Sequence, residues 1–210
     1  ACAPYRRLSL CNKNFQKINN YSSNAKHNLL LDVCMAANYE AQSLIPYHAQ
    51  YDEQYPGSGS TMCTMLARSF ADIGDIIRGR DLFRGNNKEK TKREKLEENL
   101  KRIFGDIYEE LKNEKTLQAR YKKDEDPNFF QLREYWWYAN RHTVWKAMTC
   151  SDKLANYKYF RPTCDSVDGK GPSQAQNRCR CDGAKGAKAD QVPTYFDYVP
   201  QYLRWFEEWA

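Results

Sequence analysis

Three acids stand within twelve residues of one another in this chain: Asp72, Asp75 and Asp81, in the run DIGDIIRGRDLF. On a helix Asp72 and Asp75 lie three apart and share a face. Paired carboxylates at that spacing can relay a proton or hold a metal ion. Helical carboxylate metal sites also draw on Glu-x-x-His from a second helix, and no such motif occurs here. The structural reading uses the same residues differently. Arg68 stands four before Asp72, and Arg78 stands three after Asp75. They form a ladder of surface ion pairs beside the apolar stripe Phe70, Ile73 and Ile77, each pair adding about 0.3–0.5 kcal/mol. A metal-dependent enzyme using Asp72 and Asp75 remains the alternative from a different function class.

Other catalytic patterns are missing. The sequence has no G-x-S-x-G elbow, no H-E-x-x-H and no complete phosphate loop around Gly57-Ser58-Gly59. His142 lies on an aromatic helix without partners in sequence and reads as structural. No catalytic residue, cofactor site or metal site is assigned. Gly74 and Gly79 call for a reason, since a mid-helix glycine costs about 1 kcal/mol against alanine. Gly74 is expected to admit a bulky neighbour, with Trp136, Trp137 or Trp145 opposite, and Gly79 to make a tight exit. Asp81 would pin the turn that follows.

The basic run is the stronger functional candidate. Arg78, Arg80, Arg84, Lys88, Lys90, Lys92, Arg93 and Lys95 face only Asp81, Glu89 and Glu94 in the same stretch. Lysine clusters of this kind suit sulfated glycan or an anionic cell surface, because they supply charge without demanding one geometry. The bland reading is a solvated helix start. Nucleic acid is not the expected partner, since no aromatic residue between Arg84 and Lys95 offers a stacking platform.

The elements that must position these residues are helical. Leu30, Val33, Cys34, Ala37, Ala41 and Leu44 repeat at helical steps, and Pro46 is expected to end that helix. Residues 51–61 read as a loop, with Thr61 capping a helix that carries Met62, Leu66, Phe70, Ile73 and Ile77. After the break Gly85-Asn86-Asn87, the stripe Leu96, Leu100, Ile103, Phe104, Ile107, Tyr108 and Leu111 marks a long amphipathic helix. Residues 129–150 are apolar or aromatic on most sides, as in a central helix. Residues 151–191 read as a long disulfide-pinned loop, and a last helix follows Pro200 with Tyr202, Trp205, Phe206 and Trp209 on one face. No strand pattern and no internal repeat is visible. Tyr21, Tyr47, Tyr51 and Tyr55 fall in or near loops as exposed contacts, and Asn20-Tyr21-Ser22 is a glycosylation sequon.

Composition fits this picture. The 210 residues carry 33 Lys+Arg against 27 Asp+Glu, a net charge of +6, with 41% hydrophobic and 14% aromatic residues. No run approaches the roughly 18 apolar residues of a membrane span. Eight cysteines, Cys2, Cys11, Cys34, Cys63, Cys150, Cys164, Cys179 and Cys181, are expected to form disulfides in an oxidising compartment, their pairing left open. Zinc is the weaker rival, because Cys179 and Cys181 are spaced C-x-C and no histidine is near. The chain reads as an excised piece, with any targeting signal or anchor lying outside it.

Five segments occur in order: CAPYRRLSLC (2–11), DVCMAANYEAQSL (32–44), LARSFADIGDIIRGRDLF (66–83), LREYWWYANRHTVWKAMTC (132–150) and VPTYFDYVPQYLRWFEEWA (192–210). Together they resemble the Duffy-binding-like domain, alpha class, of the Plasmodium falciparum erythrocyte membrane protein 1 adhesins. The resemblance implies an all-α fold truncated at both ends. It divides into an irregular part over about 1–24, a helical bundle over about 25–191 and the start of a helical part at 192–210. It also implies a non-enzymatic adhesion module on the surface of the infected red cell, reaching the membrane only through its parent protein. Its implied partners are heparan sulfate-like glycans, blood-group sugars or protein receptors such as complement receptor, or adjacent domains that it supports as a scaffold. No ligand-contact motif carries over residue by residue; the basic run is read from its own charge.

Overall fold

The computed structural model describes residues 2–17, 25–56, 61–111, 120–121, 125–165, 172–181 and 191–209. The sequon and Tyr21, like the Gly/Lys-rich stretch 182–190, lie outside these residues. Among the described residues the fold is all-α. A short helix α1 (Tyr5–Leu8) precedes α2 (Ala25–Gln54), α3 (Met62–Arg78), α4 (Asn87–Glu110), α5 (Phe130–Met148) and α6 (Gln201–Trp209). Extended pairing is limited to isolated antiparallel bridges, Cys164 with Ser173 and Asn177 with Arg180.

The helix ends follow local chemistry. The Thr61 hydroxyl accepts from the Thr64 amide at the start of α3. Gly79 closes α3 with φ of 71°, a left-handed conformation that glycine adopts without strain. Asn86 and Glu89 form a reciprocal capping box at the start of α4. Pro46 does not end its helix: α2 runs on to Gln54. Pro46 faces solvent, so its missing N–H falls on the outer side, while Leu44 and His48 are buried on the inner side and hold the backbone helical.

α5 is the central element, packed against α2, α3 and α4. Phe70 of α3 lies between Trp137 and Trp145, with ring centroids 5.0 and 5.2 Å away. The stripe of α4 buries Leu96, Leu100, Ile103, Phe104 and Ile107 as its period predicts. Gly74 lets α3 and α5 approach: a Cβ there would stand 2.7 Å from the Trp137 ring. Trp137 is fully buried and held by its Nε1–H, which donates to Asp197 at 2.9 Å. Gly74→Leu is therefore expected to lose about 1–3 kcal/mol or more by overpacking. Denaturant unfolding followed by circular dichroism measures the loss, and wild-type stability in the variant would show that the helices can part at this point.

Two disulfides tie the irregular region to the bundle. Cys63–Cys179 joins the start of α3 to the loop beyond α5, and Cys164–Cys181 closes that loop on itself. Four of the eight cysteines expected to form disulfides are bridged in this structure; Cys2, Cys11, Cys34 and Cys150 are not. The Cys2 carbonyl accepts from Trp209, the Cys11 amide donates to Glu40, and the Cys150 sulfur accepts from Asn38. Burial pushes the Cys34 thiol up to about 11.

Candidate functional site

The carboxylates of the signature helix are interior groups. Asp72 and Asp75 are buried, and so is Arg78. Asp72 accepts from Arg6 at 2.7 Å through Oδ2, and from Arg204 at 2.7 Å and Gln201 at 3.1 Å through Oδ1. Asp75 accepts from Arg78 at 2.8 Å and from Arg204 at 2.5 Å. The surface ladder expected from the spacing is thus a buried clamp. Arg68 pairs with Glu207 rather than with Asp72. Asp81 does pin its turn, but with distant partners: it binds Arg7 and Gln201. Arg141 and Trp137 hold Asp197 in the same way.

The consequence is electrostatic. Both oxygens of Asp72 and both of Asp75 accept from guanidinium groups inside the fold, the geometry of an ion-pair clamp. Burial raises the Asp72 carboxyl, but Arg6, Arg204 and Gln201 outweigh it and leave the group below its ordinary value. For Asp75 burial wins over Arg204 and Arg78, and the carboxyl is pushed up to about 6. The clamp fastens α1 at one end of the chain and α6 at the other onto α3.

Sequence reasoning missed the remote half of this network. Arg6 and Arg204 gave no signal beyond being charged residues inside apolar patterns. α6 also differs from its expected face. Gln201, Arg204 and Trp205 point inward, while Tyr202, Phe206 and Trp209 are exposed. The inward face is polar because it meets the acids of α3.

The basic run divides between interior and surface. Arg78 leaves it: only 1% exposed, it bonds Asp75, the Gly74 carbonyl and the Asp197 carbonyl. Arg93 is half-buried and donates to the carbonyls of Phe83 and Asp81, bracing the turn between α3 and α4. Arg80 is exposed and pairs with Glu134 at 2.7 Å. Arg84, Lys88, Lys90, Lys92 and Lys95 are exposed. Lys88, Lys92 and Lys95 follow at i, i+4 and i+7 and share one face of α4. Lys90 lies on another face, 3.9 Å from Glu94.

An open groove of about 920 Å³ borders this surface. Lys13 and Leu8 from the N-terminal segment form one wall, Lys92 and Leu96 of α4 another, and Phe83 and Phe130 also line it. Arg7 stacks over the Phe83 ring at 4.5 Å. No sequence motif announces this concavity, because its walls come from four separate segments.

The sequence matches the Duffy binding domain over residues 1–204. A comparison with curated protein sequences returned no match. Among solved structures, the chain is similar to the NTS-DBL1(alpha-1) domain of the Plasmodium falciparum membrane protein 1 (PfEMP1) from the varO strain. Identity is 39% and the TM-score 0.75, over 100% of this chain and 43% of that one. The NTS-DBL1-alpha and CIDR-gamma double domain of the same strain gives the same identity and TM-score over 100% of this chain and 27% of that one. The PfEMP1 IT4var13 DBLbeta domain, solved bound to ICAM-1, is 33% identical with a TM-score of 0.64, over 100% of this chain and 44% of that one. The chain thus spans less than half the length of each of these solved chains. With the family match covering nearly every residue and the helical architecture shared, the chain belongs to the Duffy binding domain family.

Proposed function

We propose that this chain is a host-cell adhesion module, and that the exposed basic surface at the start of α4 carries its contact with a sulfated or otherwise anionic host glycan. Its place would be the outer surface of the infected red cell, as part of a membrane-anchored parent. The observation that carries the reading is the segregation of charge. The acids of the signature helix and Arg78 are engaged in ion pairs inside the fold, whereas Arg84, Lys88, Lys92 and Lys95 stand in solvent, with Lys92 on the wall of an open groove that Glu89 and Glu97 also line. Lysines at the first turns of a helix oppose its macrodipole, so α4 keeps them against its own local preference.

Lys88→Glu, Lys92→Glu and Lys95→Glu together test it. Each basic residue near an anionic surface contributes about 1 kcal/mol, so the triple variant should bind heparin at least about tenfold more weakly and elute at lower salt. Glutamate suits the first turns of a helix, so helicity should be kept. Unchanged heparin retention in the folded variant would overturn the assignment of the patch.

A second reading is favoured by the DBLbeta relative solved with ICAM-1. In it the chain meets a protein receptor, or supports a neighbouring domain that does. Binding of the triple variant to a purified receptor, with no response on a glycan array by either protein, would select that reading.

A further inference from the structure

The charged groups lining the groove between the N-terminal segment and α4 divide into two sets. Some are engaged within the fold. Arg7 is held by Asp81 at 2.5 Å. Glu97 accepts from both guanidinium branches of Arg133. The Glu89 carboxylate accepts from the Asn86 amide at 2.9 Å as half of the capping box. The others, Lys13, Lys92 and Arg93, have no carboxylate partner among the described residues. Arg93 donates to the carbonyls of Phe83 and Asp81, which bind its N–H groups and leave its charge uncompensated. Lys13 and Lys92 are exposed and stand on opposite walls.

The rest of the lining includes rings, amides and a hydroxyl: Phe83, Phe130, Asn12, Asn128 and Ser9. This mixture suits a sugar that carries an acidic group. The C–H faces of a sugar pack on aromatic rings, whose faces are electron-rich. Its hydroxyls bond to amide and hydroxyl side chains. A sulfate or carboxylate makes charge-assisted hydrogen bonds with Lys and Arg. Apolar walls with a few placed polar groups are the usual make-up of a ligand cleft, and about 920 Å³ lies within the roughly 300–1,000 Å³ of such sites.

We propose that the groove seats one acidic sugar of the glycan, held between Lys92 of α4 and the Ser9, Asn12 and Lys13 side chains of the N-terminal segment. The proposal rests on the glycan reading of the α4 surface, with which the groove shares Lys92. It extends that reading to residues outside the basic run. A peptide is the poorer fit. Strand addition needs a free sheet edge, and a docked helix needs a continuous apolar floor. None of the lining residues belongs to a strand, and Lys13, Glu89 and Lys92 interrupt the apolar lining.

Isothermal titration calorimetry with a heparin-derived tetrasaccharide tests the proposal. The expected result is one binding site per chain. Lys13→Ser should weaken it about fivefold, the effect of one basic residue beside an anionic surface. Asn12→Ala should weaken it about two- to tenfold with no change in its salt dependence, because the amide is neutral. Lys101→Ser removes the same charge from an exposed position of α4 outside the groove and should leave binding unchanged. Circular dichroism checks that all three variants are folded. Wild-type affinity in Lys13→Ser, or equal losses in Lys13→Ser and Lys101→Ser, would overturn the groove assignment. So would heparin retention by a wild-type chain that binds no tetrasaccharide, a result that leaves the α4 surface standing as the glycan contact. Absence of both would overturn the reading of α4 as well. Displacement of the tetrasaccharide by tetraglutamate at equal concentration would show that the groove reads charge alone and would overturn the sugar.

Discussion

Asp72→Ala should destabilise the fold by about 3–5 kcal/mol, the cost of leaving buried charge without its partner. Asp72 is wholly buried and answers Arg6, Arg204 and Gln201 together. Removing it takes one of two carboxylate partners from Arg6, which keeps Glu208, and from Arg204, which keeps Asp75. The damage should reach both ends of the chain, because α1 and α6 are fastened through the same carboxylate. Urea unfolding followed by circular dichroism measures it, and a loss below about 1 kcal/mol would show that the clamp is not what holds these helices. Asp72→Asn keeps the shape but not the charge and should retain part of the stability.

The same group has a pH signature. Its folded pKa lies below the ordinary value. Its contribution is therefore complete above the unfolded pKa and is lost as pH falls through the folded one. Asp75 works in the opposite sense: raised to about 6, it favours the folded state as pH falls from about 6 toward its unfolded value. The two acids of one signature thus act in opposite senses and in different windows, Asp75 between about 6 and the ordinary carboxylate value and Asp72 below that value.

Removing the Cys63–Cys179 bridge should cost about 2–5 kcal/mol. The two cysteines are 116 residues apart in sequence, so the bridge closes a far longer loop than Cys164–Cys181, whose separation is 17. Long closures restrict the unfolded chain more. The Cys179 segment has another anchor, since Trp145 Nε1 donates to its carbonyl at 3.0 Å. Cys63→Ala with Cys179→Ala should therefore lower stability more than Cys164→Ala with Cys181→Ala. The reverse order of unfolding midpoints would contradict the loop argument.

Much of the fold was legible because it rests on periodicity and punctuation. The stripe of α4, the cap at Thr61 and the tight exit at Gly79 are written within a few neighbouring residues, whereas Gly74 signalled only a bulky neighbour, with three tryptophans as candidates. Pro46 misled because its local penalty was weighed without knowing that it faces water. The acids of α3 misled more deeply. Spacing shows which charges share a helix face; it does not show whether that face meets solvent or an arginine 132 residues away. Arg78 left the basic run for the same reason. The groove was illegible for another: it is assembled from four segments.

We propose a division between charge that holds the fold and charge that meets a partner. Its most direct test is heparin affinity per folded molecule, measured together with the unfolding midpoint, for Asp72→Asn and for the triple Lys88→Glu, Lys92→Glu, Lys95→Glu variant. Asp72→Asn should lower the midpoint and leave affinity unchanged, while the triple variant should keep the midpoint and lose at least about tenfold in affinity. Lost affinity in folded Asp72→Asn, or full affinity in the triple variant, would contradict it.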